Sequence, residues 1–346
     1  LLAQRAAAGT AAQLGRWGYR ELGASRGESA FVWEEGDRYR AIVMEGLGTK
    51  SLVADACRPL TGRSHYDALA QDTVAMIVND LIVVVAAPQV LTAYWAIGSS
   101  DWFKDQERAR DLAEGWAAAC IEAGATWGGG ETPALAGIIT PGTIDLAGAC
   151  VGEIFPKERL VLGDRLEAGD AIVLVASSGI HANGLSLARR VAAGLPEGYG
   201  TPLADGSRLG EALLRPTLLY PRLVAALFAA GLDLRYLVNV TGHGWRKLMS
   251  APKDLAYRLE VLPPVPPVLD FLRQAGGLSP EEAYGNLNMG AGFAVYLPAA
   301  QAESAVAVAR AAGYQAWDAG RVVAGPRAVT IPPLGLSFGG HSLDLR

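Results

Sequence analysis

The sequence is poor in cysteine, with three residues in 346. Cys57, Cys120 and Cys150 are an odd number at wide, irregular spacing, which excludes a disulfide framework and a Cys-rich zinc site. We therefore expect reduced thiols and a cytoplasmic protein.

An excess of positive charge is also missing. Lysine and arginine number 30 against 35 aspartates and glutamates, so the net charge of −5 offers no general attraction to nucleic acid. Long apolar runs are absent too, because Ile77–Pro88 is interrupted by Asn79 and Asp80 and stays below the ~18 residues of a membrane span. The N-terminal residues lack a signal-peptide core. We expect no nucleic-acid partner and no membrane partner.

The composition that remains is that of a well-buried protein. Hydrophobic residues make up 51% and glycines number 42, which favours an α/β or α+β fold with about two domains. A charged connection at Lys157–Asp170 precedes the apolar strand Ala171–Ala176, so we place the domains at 1–162 and 163–346. In the first domain, Ala7–Leu22 is predicted to be helical and Gly23–Glu35 to be a mobile segment.

A helix is predicted from Tyr66 to Val85, and its apolar spacing indicates that it is mostly buried. Asp72 and Asn79 are two turns apart and share one face, while Asp80 lies roughly 80° around the helix from Asp72. Buried carboxylates need a cation, a metal or hydrogen-bond donors. A polar stripe that caps neighbouring loops is the structural alternative.

Two glycine-rich turns carry further acids. Glu45 ends a strand and begins Glu45-Gly-Leu-Gly-Thr-Lys50, and Glu131 follows the glycines 128–130. Glycine lets a backbone approach a ligand closely, and Lys50 is the best candidate for a positive charge beside phosphate. Three acidic segments in one domain favour a site for Mg²⁺ and a triphosphate, since Mg²⁺ prefers carboxylate and phosphate oxygens.

The second domain opens with a strand, a polar turn and a helix. The turn, Ser177-Ser-Gly-Ile-His-Ala-Asn-Gly184, offers backbone N–H groups and side chains for a substrate phosphate, although an ordinary capped turn would look similar. His181 is a candidate general base or phosphate ligand. His243, in Thr241-Gly-His-Gly244, is the alternative acid–base residue.

Seven motifs in this order resemble the aminoimidazole ribonucleotide synthetase family, the phosphoribosylformylglycinamidine cyclo-ligases. The motifs are Glu45-Gly-Leu-Gly-Thr-Lys50, Asp72-Thr-Val-Ala-Met-Ile-Val-Asn-Asp80, Gly129-Gly-Glu-Thr132, Asp145-Leu-Ala-Gly-Ala-Cys-Val-Gly152, the 177–184 turn, Pro216-Thr217 with Tyr220, and Asn288-Met-Gly-Ala-Gly292. The resemblance implies an N-terminal mixed sheet that pairs across a homodimer, and a C-terminal α+β sandwich. It also implies ATP-dependent ring closure of a small phosphorylated substrate, formylglycinamidine ribonucleotide, to aminoimidazole ribonucleotide.

The residue patterns and the resemblance together assign roles to residues in four groups. Catalytic residues are Lys50, Asp80 and His181; metal ligands are Glu45, Asp72, Asp80 and Glu131. The ATP site comprises Glu45, Gly46, Gly48, Thr49, Lys50, Asp72, Asn79, Gly129, Gly130, Glu131 and Thr132. Substrate binding is assigned to Ser177, Ser178, Gly179, His181, Asn183, Gly184, Thr241 and His243. ATP and Mg²⁺ are the expected cofactors, with K⁺ as a further candidate.

The chain departs from the family pattern at several positions. Glu45 replaces an aspartate, Ala93 stands where the family has another aspartate, and Pro133–Ala136 and Trp245–Pro252 lack family residues. Two alternatives therefore stay open. One is an ATP-dependent enzyme of the same superfamily with another substrate, and the other is a nucleotide-binding paralogue without turnover.

Overall fold

The first half of the chain forms a six-stranded sheet with helices on one face. The structure is a computed structural model that describes residues 2–343. The elements of this half are α1 (Leu2–Ala8), β1 (Arg20–Glu21), β2 (Phe31–Glu35), β3 (Arg38–Gly46), α2 (Lys50–Thr61), α3 (Tyr66–Leu81), β4 (Ala87–Ile97), α4 (Gln106–Ala123), β5 (Thr126–Glu131) and β6 (Ile144–Ile154).

This first sheet is mixed and has the order β1-β2-β3-β6-β4-β5. Only β4 and β5 pair in parallel among these neighbours. Side chains alternate along β3, so Ala41 and Val43 are buried under α3 whereas Ile42 and Met44 are exposed. The sheet therefore has one covered face and one open face.

The second half forms a seven-stranded sheet in the order β13-β12-β9-β11-β7-β10-β8. Its elements are β7 (Ala171–Ala176), α5 (Leu185–Gly194), α6 (Leu209–Leu213), α7 (Pro221–Ala229), β8 (Tyr236–Asn239), β9 (Leu255–Leu259), α8 (Pro267–Ala275), α9 (Pro280–Asn286), β10 (Ala291–Leu297), α10 (Ala302–Ala311), β11 (Ala316–Ala324), β12 (Ala328–Ile331) and β13 (Leu336–Gly339). All neighbours are antiparallel except β12 and β9. The predicted mixed α/β class, with a sheet in each half, is confirmed; the exact domain boundary stays a prediction.

Helix α3 joins the two halves. All but two of its residues are buried, and it packs on α4 as well as on the first sheet. The predicted helix ends at Leu81, four residues early, and continues as a 3-10 turn over Ile82–Val84. Its polar side chains point toward the second half of the chain, where they find their partners.

Three local predictions were wrong. The helix predicted over Ala7–Leu22 is interrupted, since α1 ends at Ala8 and a 3-10 turn occupies Ala11–Trp17. The segment predicted to be mobile contains β2, which pairs with β1 and β3. The turn predicted around the glycines 128–130 is strand β5. A Cβ on Gly130 would lie 2.0 Å from the Ala93 carbonyl oxygen, so glycine is required there by close strand packing.

The three cysteines are buried free thiols. Among residues 2–343, helices are too short or too polar to cross a membrane.

Candidate active site between the two sheets

A cavity of about 390 Å³ lies where the two halves meet. Its lining includes Glu45, Asp80, Asn183, Thr241, His243 and Lys247. The first two come from β3 and α3, and the other four come from the second half of the chain. Six residues that the sequence separates by up to 202 positions, from 45 to 247, thus share one pocket.

Glu45 and Asp80 give this cavity its acidic end. Glu45 lies on the helix-covered face of β3, and the side-chain amide of Asn239 donates to Asp80 Oδ1 over 2.7 Å. Burial raises the pKa of Glu45, and the nearby charge of Asp80 raises it further, against the opposing charge of Lys247. Because the two carboxylates repel each other, a cation between them is favoured. These are the only two of the four predicted metal ligands that line the cavity.

Asp72 and Lys50 lie elsewhere, in a fully buried ion pair. Lys50 Nζ is 2.7 Å from Asp72 Oδ2, and both side chains have 0% exposure. Burial lowers the pKa of Lys50 and raises that of Asp72, while the charge of each partner opposes the shift of the other. Each charge is neutralised by the other in this geometry, which does not favour direct contact with Mg²⁺ or phosphate. The roles predicted for Lys50 and Asp72 stay predictions.

The pair also binds the second half of the chain. Lys50 Nζ donates to the carbonyls of His181 at 2.9 Å and Arg215 at 3.2 Å. Asp72 Oδ1 accepts from the backbone N–H of Thr217 at 2.8 Å and from its hydroxyl. The buried acid thus has a cation and hydrogen-bond donors, two of the three partner types considered from the sequence.

Asn79, predicted to bind ATP, continues these contacts along the same face of α3. Its side-chain amide donates to the Leu218 carbonyl at 2.8 Å and accepts from the Tyr220 N–H at 2.9 Å. Gln71 donates to the Thr217 carbonyl at 2.9 Å. The polar stripe of the helix therefore holds the segment 215–220, which is the structural alternative that the sequence left open.

Several polar groups of the 177–184 turn bind other segments of the protein. Ser177 donates its hydroxyl to Asn288 Oδ1 at 3.0 Å, and Ser178 donates to the Pro216 carbonyl at 2.5 Å. The Gly179 carbonyl accepts from Asn288, and Gly184 has a φ of +78° in a site where a Cβ would lie 2.5 Å from the Leu287 side chain. Only Asn183 of the predicted substrate-binding residues in this turn lines the cavity.

His181 is buried and does not line the cavity. Its Nε2 accepts from the Ser178 N–H at 3.1 Å, so the lone pair needed for proton transfer is engaged. Burial, assisted by the charge of Lys50, lowers its pKa to about 3. These contacts do not favour the predicted catalytic role, which stays a prediction. His243, by contrast, is exposed at the cavity. Partial burial of its ring lowers its pKa, and the charges of Arg246 and Lys247 lower it further.

Apart from Glu45, the two glycine-rich segments of the first half lie outside the cavity. Strand pairing places Glu45, Gly148, Ala93 and Gly130 in one row, which separates Glu45 from β5 by about 14 Å. Glu131 is one residue further and exposed, on the open side of the sheet. Among residues 2–343 no group of three or more acidic, His or Cys side chains forms a metal cage. The other predicted ATP residues outside the cavity are Gly46, Gly48, Thr49, Gly129 and Thr132.

Several residues of this site were missed from the sequence, among them Glu28, which also lines the cavity. Asn239 orients Asp80, Met76 lines the cavity one turn before it, and Lys247 supplies a positive charge. Asn239 ends strand β8, and Lys247 lies shortly after the Thr241–Gly244 turn. Their nearness to that turn was the signal in the sequence that could have identified them. Nothing in the local sequence distinguishes Lys247 from its neighbour Arg246.

The fold and cavity define a two-sheet α/β protein with an acidic pocket between its halves. Sequence models described as AIR synthase related protein match residues 27–154 with their N-terminal domain and residues 167–331 with their C-terminal domain. The chain belongs to the AIR synthase related family.

Relatives named phosphoribosylformylglycinamidine cyclo-ligase span most of the chain. The protein of Carboxydothermus hydrogenoformans is 34% identical over 83% of this chain and 81% of its own length. That of Symbiobacterium thermophilum is 37% identical, covering 82% and 81%. That of Sorangium cellulosum is 38% identical, covering 81% and 79%.

Solved structures share the fold at lower identity. HypE in the HypE–HypF complex has a TM-score of 0.63 at 17% identity, covering 90% of this chain and 92% of the other. Thiamine-monophosphate kinase from Stenotrophomonas maltophilia has a TM-score of 0.62 at 19% identity, covering 88% of both chains. A hydrogenase maturation protein HypE in complex with ATP has a TM-score of 0.58 at 22% identity, covering 78% of both.

Proposed function

We propose that the protein closes the ring of formylglycinamidine ribonucleotide to aminoimidazole ribonucleotide, using ATP, in the cytosol. The observation that carries the proposal is the meeting of Glu45 and Asp80 with Asn183 and Thr241 in one cavity, in a chain whose relatives bear the cyclo-ligase name. Buried free thiols suit a reducing compartment.

The chemistry requires activation of an amide oxygen, which is a poor leaving group. Transfer of the γ-phosphoryl group from ATP to that oxygen breaks the bond to ADP and makes the oxygen a good leaving group. A nitrogen of the same substrate then attacks the amide carbon, loses a proton, and phosphate departs. Asn183 and Thr241, which line the cavity, would hydrogen-bond the substrate, and the carboxylates of Glu45 and Asp80 would hold the metal.

The donor set fits Mg²⁺, our proposed metal. Glu45 and Asp80 supply two hard oxygen ligands, and magnesium–nucleotide sites usually take one or two carboxylates with phosphate oxygens and water completing the shell. The ion would neutralise phosphate charge during transfer. K⁺ is included in the assay as a candidate activator.

A direct assay tests the reaction. Purified protein is incubated with Mg-ATP, K⁺ and formylglycinamidine ribonucleotide, and both ADP and aminoimidazole ribonucleotide are measured. Formation of both in equal amounts is expected. ADP without the ring product would replace this proposal with an ATP-dependent enzyme that acts on another substrate. That alternative stays open because of the missing acid at Ala93 and the changed 245–252 segment. Binding of ATP without ADP formation would indicate a non-catalytic paralogue.

We also propose a homodimer that pairs the open faces of the first sheet. Ile42, Met44 and Val90 expose 38%, 72% and 45% of their surface on that face, a cost that a partner would remove. Glu131 lies on the same open side, so the partner would also cover the acidic end of β5.

Light scattering tests the dimer. Met44→Glu should shift the wild-type dimer to the monomer mass, because it buries a charge in the apolar contact. Ile121→Glu, at a site on α4 with 79% exposure, is the matched control and should leave the mass unchanged. A wild-type protein that is already monomeric would refute the proposed assembly.

A further inference from the structure

The acidic cavity needs a positive group before it can hold a phosphate, and Lys50 does not supply one. Glu28, Glu45 and Asp80 bring three carboxyl groups to its lining, whereas Lys50 is sealed against Asp72. Lys247 is the only lysine or arginine that lines this cavity in the described part of the chain.

Lys247 lies in a 3-10 turn over Gly244–Met249. The turn is fixed in place, since a Cβ on Gly244 would lie 2.3 Å from the Tyr284 carbonyl oxygen and the Trp245 ring N–H donates to the Asn288 carbonyl at 2.8 Å. Because the turn is held by these contacts, the direction of the Lys247 side chain from the backbone is fixed as well.

The ammonium of Lys247 has capacity for a ligand. It donates to the Thr241 hydroxyl at 2.8 Å, and an ammonium has three N–H donors. No ion pair within 4.0 Å joins it to a carboxylate of residues 2–343, although it is close enough to influence Glu45. Its charge is therefore open to an incoming anion.

Arg246, the adjacent residue, shows the opposite behaviour. Its guanidinium donates to the carbonyls of Gly285 at 2.8 Å and Ser342 at 3.0 Å, which ties the turn to α9 and to the end of the chain. The two consecutive basic residues thus have different roles. Arg246 holds the turn, and Lys247 faces the cavity.

We propose that Lys247, with the Thr241 hydroxyl beside it, forms the phosphate subsite of the cavity, opposite Glu45 and Asp80. This inference rests on the proposed function. When the γ-phosphoryl group passes from the ADP oxygen to the amide oxygen, the electron pair of the broken bond stays with ADP, and the ammonium stabilises the negative oxygens nearest to it. The same chemistry would serve a ribose phosphate, so the ligand class is a phosphate ester or anhydride.

Calorimetry with two probes distinguishes these sources. Lys247→Met should weaken binding of a non-hydrolysable ATP analogue with Mg²⁺, or of ribose 5-phosphate, by about 10- to 100-fold, and Lys247→Arg should restore part of the loss. Loss for the analogue alone assigns the nucleotide phosphate, and loss for ribose 5-phosphate alone assigns the substrate phosphate. Lys104→Met, at an exposed lysine paired with Asp101, is the control and should bind both probes normally.

Affinities within twofold of wild type for both probes would overturn the proposal, as would equal losses in Lys104→Met or a wild-type protein that binds neither probe. Thermal unfolding checks each variant, and Lys247→Gln replaces Lys247→Met if the latter fails to fold. The test is separate from the reaction itself. Wild-type binding that depends on Lys247, in a protein that forms no aminoimidazole ribonucleotide, would refute ring closure and keep the phosphate subsite.

Discussion

Two aspartates of helix α3 have the same chemistry and opposite surroundings. Asp72 is sealed by Lys50 and Thr217, while Asp80, two turns later, opens to the cavity with Asn239 on one side. The first joins the two halves of the protein, and the second is available to a ligand. An acid on a buried helix thus becomes structural or functional according to what the rest of the chain places against it.

Substitutions at the buried pair of Lys50 and Asp72, the closed end of this polar face, should have the largest effect on stability. Lys50→Met leaves Asp72 buried without its cation, so we expect a loss of about 3–5 kcal/mol in the free energy of unfolding, measured in urea. The double variant Lys50→Met/Asp72→Asn removes both charges and should recover much of that loss. A double variant as unstable as the sum of its two single variants would show that the charges are not coupled.

Substitutions at Asp80, the open end that faces the cavity, should instead affect activity. Asp80→Asn removes a proposed metal ligand and should lower kcat/KM by at least about 100-fold, with a change of less than about 1 kcal/mol in stability. Asp67→Asn, an exposed acid in the first turn of the same helix, is the matched control and should retain activity. Full activity in Asp80→Asn would remove this residue from the site.

His181 adds a pH dependence to the closed end. Its pKa falls from an ordinary 6.5 to about 3 on folding, so the unfolded chain binds more protons between these values and stability falls as the pH is lowered. Between pH 6.5 and pH 5 the residue should cost about 2 kcal/mol. His181→Asn keeps an acceptor and tolerates the φ of +60°, and it should flatten this part of the curve in unfolding experiments. An unchanged slope would contradict the assignment.

The smallest expected effect is on stability and comes from a substitution at Gln71. Gln71→Ala removes one hydrogen bond to the Thr217 carbonyl and should reduce stability by about 1 kcal/mol in the same urea titration. Gln106→Ala, at an exposed position in α4, should change it by less than about 0.5 kcal/mol. Equal effects would mean that the segment 215–220 is not held through this contact.

Local signals in the sequence were sufficient for much of the fold. The bounds of helix α4 can be predicted from its own residues, because Asp105 caps its start and Gly124 takes the left-handed conformation at its end. Strand β6 alternates buried residues with exposed or partly exposed ones, which is the pattern that predicts a strand covered on one face. Both elements can be predicted from their own residues and the residues that flank them.

The site could be predicted only in part, because its residues are sorted by distant contacts. The sequence showed that Asp72 needs a partner, but its partners lie 22 and 145 positions away, at Lys50 and Thr217. The glycines 128–130 were interpreted as a turn because a turn and a close strand contact both require glycine. The roles of Lys247 and Arg246 depend on which way a rigid turn directs each side chain.

Away from the cavity, the hydrogen bonds from α2 and α3 to the second half are made almost entirely with main-chain atoms. Lys50, Gln71, Asp72 and Asn79 bind carbonyl or N–H groups of His181, Arg215, Thr217, Leu218 and Tyr220, and the Thr217 hydroxyl is the one side-chain group among these partners. Every amino acid other than proline offers the same backbone groups. Substitutions along 215–220 can therefore accumulate without separating the halves, so long as the backbone keeps its path, whereas the four side chains on the first half have little freedom to change.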